Sequence, residues 1–114
     1  MTDSPVLMLS PQALKQRLET GDIECLLDVR EDWEHSLSAI PGSTHIPLDQ
    51  LLDRFQELAL EEEIVVYCHV GERSLRAAAL LRESGVPRVY NLTGGIDAYS
   101  QLADPSIPRY RPAL

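Results

Sequence analysis

The sequence is poor in basic residues and in cysteine. Ten lysine and arginine residues stand against eighteen aspartate and glutamate residues, and the formal net charge is −8 at pH 7. Nucleic acids and anionic membranes bind positively charged surfaces, so this balance argues against both as partners. The two cysteines, Cys25 and Cys68, lie far apart and form no CxxC pair. Neither a disulfide framework nor a metal site is therefore indicated.

Long apolar runs are also missing. No segment approaches the roughly eighteen apolar residues of a membrane span, and residues 1–5 are too short and polar for a signal peptide. With 114 residues, the chain is long enough for one domain with a modest core and too short for two. We therefore expect a single domain over residues 1–114, with a core over about 7–103 and an extended C-terminal tail over 104–114.

Segments typical of strands and of helices alternate along the chain. Apolar runs predict strands at about 6–9, 24–29, 43–46, 64–67 and 88–91. Helical spacing and capping residues predict helices from Ser10 to Gly21, over 31–37, 48–58 and 74–84, and around Ile96. Glycines at 94 and 95 permit a close backbone approach before the last helix. The alternation predicts an α/β fold with a largely parallel central sheet of about five strands and helices on both faces.

One cysteine lies where a predicted buried strand turns into a predicted helix. Cys68 follows the apolar run 64–67, and the helical pattern begins at about Ser74. The first N–H groups of a helix lack backbone partners, and a short loop containing Gly71 can turn its own N–H groups inward beside them. Together with Arg73, these groups favour a negatively charged, nucleophilic thiolate. A buried structural cysteine is the competing interpretation, but it requires neither the glycine nor the arginine at these offsets.

The loop Cys68-His69-Val70-Gly71-Glu72-Arg73-Ser74 resembles the active-site loop of the rhodanese family, whose pattern is Cys-x-x-Gly-x-Arg followed by Ser or Ala. Other stretches resemble the family in the expected order, and together they cover the chain from about Leu7 to Tyr110. These stretches are Leu27-Asp28-Val29-Arg30-Glu31, Ile40-Pro41-Gly42-Ser43, His45-Ile46-Pro47-Leu48 and Leu92-Thr93-Gly94-Gly95-Ile96. The tail from Asp104 to Tyr110 resembles the end of the rhodanese domain that some ubiquitin-like-protein activating enzymes carry at their C-terminus.

The resemblance implies a sulfurtransferase with no metal or organic cofactor, and a free reactive thiol indicates a reducing, cytoplasmic compartment. Its catalytic residue would be Cys68, which would carry a sulfane sulfur as a persulfide from a donor such as thiosulfate or another persulfide. The acceptor would be a thiol, cyanide or a protein, such as a sulfur-carrier or thioredoxin-like protein. The substrate-binding residues would be His69, Val70, Gly71, Glu72, Arg73 and Ser74. In the family, the residues matching Asp28 and Arg30 mainly support the active-site architecture.

Several of these residues have alternative roles. Arg73 would bind the anionic part of a donor or brace the loop. Ser74 would hydrogen-bond the sulfur of Cys68 or cap the helix, and His69 would stabilise the thiolate or point out of the loop. Glu72, a carboxylate at the rim, would repel a dianion such as thiosulfate.

Two other functions fit the same residues. One is an arginine-assisted cysteine phosphatase of related fold, and the other is a non-catalytic rhodanese-like interaction module. Four residues separate Cys68 from Arg73, whereas the related phosphatases have five between their nucleophile and arginine, which favours sulfur transfer. The intact Cys68 argues against the non-catalytic module, because inactive relatives usually lack this residue.

Overall fold

A computed structural model describes residues 5–58 and 60–111 of the chain. Five strands form one sheet in the order β1-β5-β4-β2-β3, and every pairing is parallel. The strands are β1 (Leu7–Leu9), β2 (Leu26–Asp28), β3 (Thr44–His45), β4 (Glu63–Tyr67) and β5 (Arg88–Leu92). All five residues of β4 are buried, as expected for the central strand of a sheet covered on both faces. The predicted parallel sheet of about five strands is confirmed.

In the described part of the chain, four α-helices pack around this sheet: α1 (Pro11–Glu19), α2 (Asp32–Leu37), α3 (Glu72–Glu83) and α4 (Gly95–Leu102). On one face, α3 contributes Ala77 and Leu81 to an apolar cluster with β2 and β4. On the opposite face, Leu14 of α1 and Ile96 of α4 belong to a second cluster. The placement of helices on both faces is therefore confirmed. Because all neighbouring strands are parallel, their carboxyl ends lie at the same edge of the sheet. Ligands bind at this edge in such folds.

The prediction of one helix over 48–58 is wrong. The segment forms two short 3₁₀-helices, Leu48–Gln50 and Phe55–Leu58, joined by a turn. The packing residues Leu48 and Leu51 are three apart, as are Phe55 and Leu58, and this spacing suits a 3₁₀-helix as well as an α-helix. These four residues pack against the core, but Leu52, which shares the predicted helical spacing, is 67% exposed. The apolar spacing therefore does not distinguish the two helix types.

Helix α3 begins at Glu72, earlier than predicted. Gly71 precedes it with φ +106°, a left-handed conformation that residues with a Cβ rarely adopt. This glycine allows the chain to turn sharply from the loop into the helix. As a result, Arg73 and Ser74 belong to the first helical turn rather than to the loop before it.

The segment after α4 turns at 104–107 and packs back on the domain. Ile107 is buried in the cluster beneath α4, and Tyr110 packs against the same cluster. The predicted extended tail thus includes a turn, and its last residues, 112–114, lie outside the described residues. Among residues 5–58 and 60–111, none of the helices combines the length and apolar composition that a bilayer crossing requires.

Candidate active site

Cys68 immediately follows β4 at the carboxyl edge of the sheet, and only 1% of its surface is exposed. The backbone N–H of Gly71 donates to its sulfur at 3.1 Å, and the N–H of Ser74 donates at 3.3 Å. Both donors lie at the beginning of α3, where backbone N–H groups have no helical partners. The structure therefore places a thiol sulfur against two preorganised donors that can stabilise negative charge on it.

The side chain of Ser74 also lies beside the sulfur. Its Oγ is 3.3 Å from the sulfur of Cys68 and 2.5 Å from Oδ1 of Asn91. A hydroxyl has one proton and can donate to only one of these acceptors at a time. Since Ser74 is the third residue of α3, its side chain does not occupy the cap position, which Gly71 holds. The hydroxyl thus lies between the sulfur and Asn91, closer to Asn91, and it does not cap the helix.

Asn91 supports the loop from the neighbouring strand β5. It is 2% exposed, and its amide nitrogen donates to the carbonyl of Gly71 at 3.2 Å while its oxygen faces Ser74. One side chain therefore contacts both residues that place an N–H on the sulfur. Asn91 was not predicted as a site residue, although a polar amide among the apolar residues at the end of β5 was a visible signal.

Helix α4 holds the other side of the loop. The N–H of Ile96 donates to the carbonyl of Cys68 at 2.9 Å, and the N–H of Asp97 donates to that of His69 at 3.1 Å. A Cβ on Gly95 would lie 2.3 Å from the His69 carbonyl oxygen, so only glycine allows this approach. The predicted close approach at Gly94-Gly95 is confirmed. These contacts fix the loop carbonyls outward, towards α4, which leaves the N–H groups of Gly71 and Ser74 for the sulfur.

Arg73 forms a bidentate ion pair with Glu34. Its guanidinium donates to the two carboxylate oxygens of Glu34 at 2.6 and 2.9 Å. Glu34 lies in α2 and is only 3% exposed. Burial alone would raise the pKa of Glu34, but hydrogen bonds from Arg73, the Glu31 N–H and Tyr110 outweigh it and lower this pKa to about 2. The pair therefore stays ionised on both sides at neutral pH and braces the loop.

Tyr110 brings the C-terminal segment into the site. Its hydroxyl donates to Glu34 at 2.8 Å and accepts from Arg30 at 3.0 Å. Its ring stacks on His69 with a centroid distance of 4.4 Å and meets Trp33 edge-on at 5.9 Å. His69 is nearly buried, and its Nε2 lies 3.1 Å from the Tyr110 carbonyl oxygen. The side chain of His69 thus packs against the C-terminal segment.

Asp28 and Arg30 form a buried pair at the end of β2. Both side chains are fully buried, and the guanidinium of Arg30 contacts the two carboxylate oxygens of Asp28 at 2.8 and 2.7 Å. Burial alone would raise the pKa of Asp28, but the hydrogen bonds from Arg30 lower it overall. Arg30 also donates to the Ser38 carbonyl at 2.6 Å and to Tyr110. Through these contacts the pair links β2, the segment after α2 and the C-terminal segment.

The sulfur lies in a cleft of about 670 Å³. Exposed Val70 and Trp33 line it, together with the charged side chains of the loop and of α2. The full lining is Glu31, Trp33, Glu34, Cys68, His69, Val70, Glu72, Arg73 and Arg76. Four of the six predicted substrate-binding residues therefore line the cleft beside Cys68. They are His69, Val70, Glu72 and Arg73. The other two, Gly71 and Ser74, do not line the cleft but contact the sulfur through their N–H groups.

Glu34 and Tyr110 are further site residues that the sequence analysis missed. The spacing of Glu31 and Glu34 is that of a helix-capping pair, and the Glu31 N–H does donate to the Glu34 carboxylate at 3.1 Å. That local pattern predicts a helix start but gives no sign that the same carboxylate meets Arg73. In the part of the chain that the structure describes, no group of three or more His, Cys, Asp or Glu side chains is arranged to hold a metal ion.

Comparison with known proteins is consistent with this site. The family model of the rhodanese-like domain matches residues 10–102. A sulfurtransferase of Allochromatium vinosum is 32% identical over 99 residues, which cover 87% of this chain and 92% of that protein. The rhodanese-like/PpiC domain-containing protein 12 of Arabidopsis thaliana chloroplasts is 44% identical over 89 residues, covering 75% of this chain. This chain spans only 30% of the length of that larger relative.

Another longer relative and a solved structure also match most of the chain. The adenylyltransferase and sulfurtransferase MOCS3 of Arabidopsis thaliana is 31% identical over 118 residues, covering 90% of this chain and 25% of its own length. Among solved structures, the human single-domain sulfurtransferase TSTD1 superposes with a TM-score of 0.74 at 29% identity. That match covers 83% of this chain and 96% of the human protein.

Proposed function

The chain belongs to the rhodanese family, and on that basis we propose that it is a sulfurtransferase that works through a persulfide on Cys68. The observation that carries the proposal is the pair of N–H groups, from Gly71 and Ser74, directed at a sulfur on the floor of an open cleft. The side chain of Cys68 is an anion both as a thiolate and as a persulfide, in which most of the charge lies on the outer sulfur. The two N–H groups stabilise the thiolate directly, and donors at the beginning of α3 also favour the negative charge of the persulfide.

Sulfur transfer takes place in two displacements. In the first, the Cys68 thiolate attacks the outer sulfur of the donor, the sulfur–sulfur bond of thiosulfate breaks, and sulfite leaves with the bonding electrons. In the second, a cyanide ion or thiolate attacks the outer sulfur of the persulfide, and the Cys68 thiolate is released. In each step the sulfur atom moves to the attacking group and the leaving group keeps the bonding electron pair, so no external oxidant or reductant is required.

The other cysteine is not suited to this chemistry. Cys25 is 8% exposed and belongs to the apolar cluster beneath α3. Burial and the nearby Glu61 and Glu24 raise its pKa to about 12, so it remains a neutral thiol at physiological pH. The two thiols should therefore react very differently although both are buried.

Small sulfur donors and thiol or cyanide acceptors are the proposed substrates. A protein acceptor, either a sulfur carrier or a thioredoxin-like protein, would have to present a thin segment, because the sulfur itself is only 1% exposed. A persulfide cycle also requires a thiol that stays reduced between turnovers, which a reducing cytoplasm supplies. We therefore propose a cytoplasmic location.

Persulfidation of Cys68 tests the function directly. After exposure to thiosulfate, the purified protein should gain the mass of one sulfur atom, and peptide mapping should place it on Cys68. Cyanide should then remove it as thiocyanate. A sulfur found on Cys25, with Cys68 unmodified, would contradict the assignment.

Substitution of Glu72 should alter the use of thiosulfate. Glu72 is exposed and lines the cleft, so its charge opposes an approaching dianion. We expect Glu72→Lys to lower the KM for thiosulfate several-fold, with most of the effect lost at high salt because an exposed charge is screened. Steady-state kinetics at two ionic strengths measures this. An unchanged KM would show that Glu72 does not face the bound donor.

A further inference from the structure

The cationic side chain of the active-site loop is already paired. Both terminal nitrogens of the Arg73 guanidinium contact the Glu34 carboxylate, one on each oxygen. Such bidentate contacts are the strongest form of arginine–carboxylate pair, and they occupy the Nη1–Nη2 edge of the guanidinium, one of the edges that could bind an oxyanion. The positive charge of Arg73 is therefore largely compensated inside the protein before any donor arrives.

The Glu34 carboxylate is held in place by donors besides Arg73. The Tyr110 hydroxyl donates to one of its oxygens at 2.8 Å, and the Glu31 N–H donates to the other at 3.1 Å. The side chain is 4% exposed, so water cannot readily replace these partners. Turning Glu34 away to free Arg73 would break contacts from α2, from α3 and from the C-terminal segment at once.

Negative charge exceeds positive charge in the cleft lining. The carboxylates are Glu31, Glu34 and Glu72, and the guanidiniums are Arg73 and Arg76. The Cys68 thiolate required for attack adds one further negative charge. Each additional negative charge on a donor is consequently disfavoured, and most strongly within the partly buried interior, where screening is weak.

We propose that Glu34 is a specificity-determining residue, which compensates Arg73 and thereby makes the site prefer sulfane-sulfur donors with one negative charge over dianionic thiosulfate. This inference rests on the proposed sulfur-transfer function. The preferred donors carry one negative charge, as alkyl persulfides and organic thiosulfonates do. Glu34 acts through Arg73, whereas Glu72 acts on the donor from the rim.

Two donors of nearly equal shape isolate the effect of charge. Methanethiosulfonate, a monoanion, has a methyl group where thiosulfate, a dianion, has one oxygen. The Cys68 thiolate takes the outer sulfur of either donor, and the sulfur–sulfur bond breaks. The leaving group is methanesulfinate in the first case and sulfite in the second, and each departs with the bonding electron pair. The same Cys68 persulfide is formed, so cyanide completes the same second step.

The test compares kcat/KM for the two donors in the native protein and in Glu34→Gln. The amide keeps the size of the side chain and an oxygen acceptor, but it no longer neutralises Arg73. We expect the ratio of thiosulfate to methanethiosulfonate efficiency to rise by about tenfold or more, mainly through a lower KM for thiosulfate. A ratio of efficiencies is insensitive to a partial loss of folded protein, because both donors report on the same molecules.

Glu31→Gln is the matched control, because Glu31 lies in the same cleft but its side chain makes no ion pair with Arg73 among the described contacts. It removes an equal charge and should change the ratio much less, with the change disappearing at high salt. Tyr110→Phe keeps Glu34 but removes one of its donors, and it should raise the ratio by an intermediate amount. An equal rise in Glu31→Gln and Glu34→Gln would overturn the specific role of the Glu34–Arg73 pair.

A binding measurement gives a second readout that does not depend on turnover. Sulfate, a dianion without a transferable sulfur, should protect Cys68 from iodoacetamide at several-fold lower concentration in Glu34→Gln than in the native protein. If Cys68 is persulfidated but neither the donor ratio nor sulfate protection changes in Glu34→Gln, the inference is wrong while the sulfur-transfer function stands. If neither donor persulfidates the native protein, the function itself fails, and the specificity role fails with it.

Discussion

Cys68→Ser should reduce sulfur transfer to cyanide by at least about a thousandfold, because a hydroxyl neither ionises at neutral pH nor forms a persulfide. The N–H groups of Gly71 and Ser74 lie 3.1 and 3.3 Å from the sulfur and would remain, but they would have no nucleophile to stabilise. Thiocyanate formation from methanethiosulfonate and cyanide measures the loss. Cys25→Ser is the control. It should retain most of the activity, because Cys25 lies in the apolar cluster beneath α3 and does not line the cleft.

The same proteins distinguish sulfur transfer from phosphate-ester hydrolysis. Four residues separate Cys68 from Arg73, and one further residue would add at most about 3.3–3.6 Å of chain reach. The short loop suits a single sulfur atom better than a tetrahedral phosphate, and Arg73 is already paired with Glu34. We expect no hydrolysis of aryl phosphates above background in the native protein. Robust phosphatase activity that disappears in Cys68→Ser would instead support the phosphatase alternative.

Arg30→Met should destabilise the fold by about 3–5 kcal/mol, the usual cost of leaving one charge of a buried pair without its partner. Asp28 and Arg30 are both fully buried, and Arg30 contributes three donors to the Asp28 carboxylate through its backbone N–H, Nε and Nη2. The variant also loses the contacts with Ser38 and Tyr110. Urea unfolding at neutral pH, with the free energy of unfolding extrapolated to water, measures the loss.

Two further variants show whether the buried charge is the cause. Arg54→Met breaks the ion pair with Glu57, in which the side chains are 37% and 50% exposed, and it should change stability far less. Asp28→Asn combined with Arg30→Met removes both charges and should recover part of the loss. A loss in Arg30→Met no larger than that in Arg54→Met would show that the pair is not a major support of the site.

Local sequence patterns determined the sheet, its helices and the position of the thiol. The run 64–67 is apolar on both sides because both faces of the central strand are covered, and this is readable from the run itself. The loop from Cys68 to Ser74 is equally local: its glycine sets the turn, and the helix that follows supplies an N–H group. The error over 48–58 has a local cause as well, since apolar residues three apart suit both helix types.

The tertiary structure alone decided what surrounds the thiol and what Arg73 contacts. Asn91, Glu34 and Tyr110 are far from the loop in sequence, and each meets it through one or two polar contacts. Hydrogen bonds and ion pairs between distant segments leave no periodic trace, unlike apolar burial, which repeats with the period of a helix or strand. The sequence therefore determined that this protein places a thiol at a helix start. Only the fold decided that the positive charge of the arginine beside it is compensated, because the carboxylate comes from another helix and is held by the C-terminal segment.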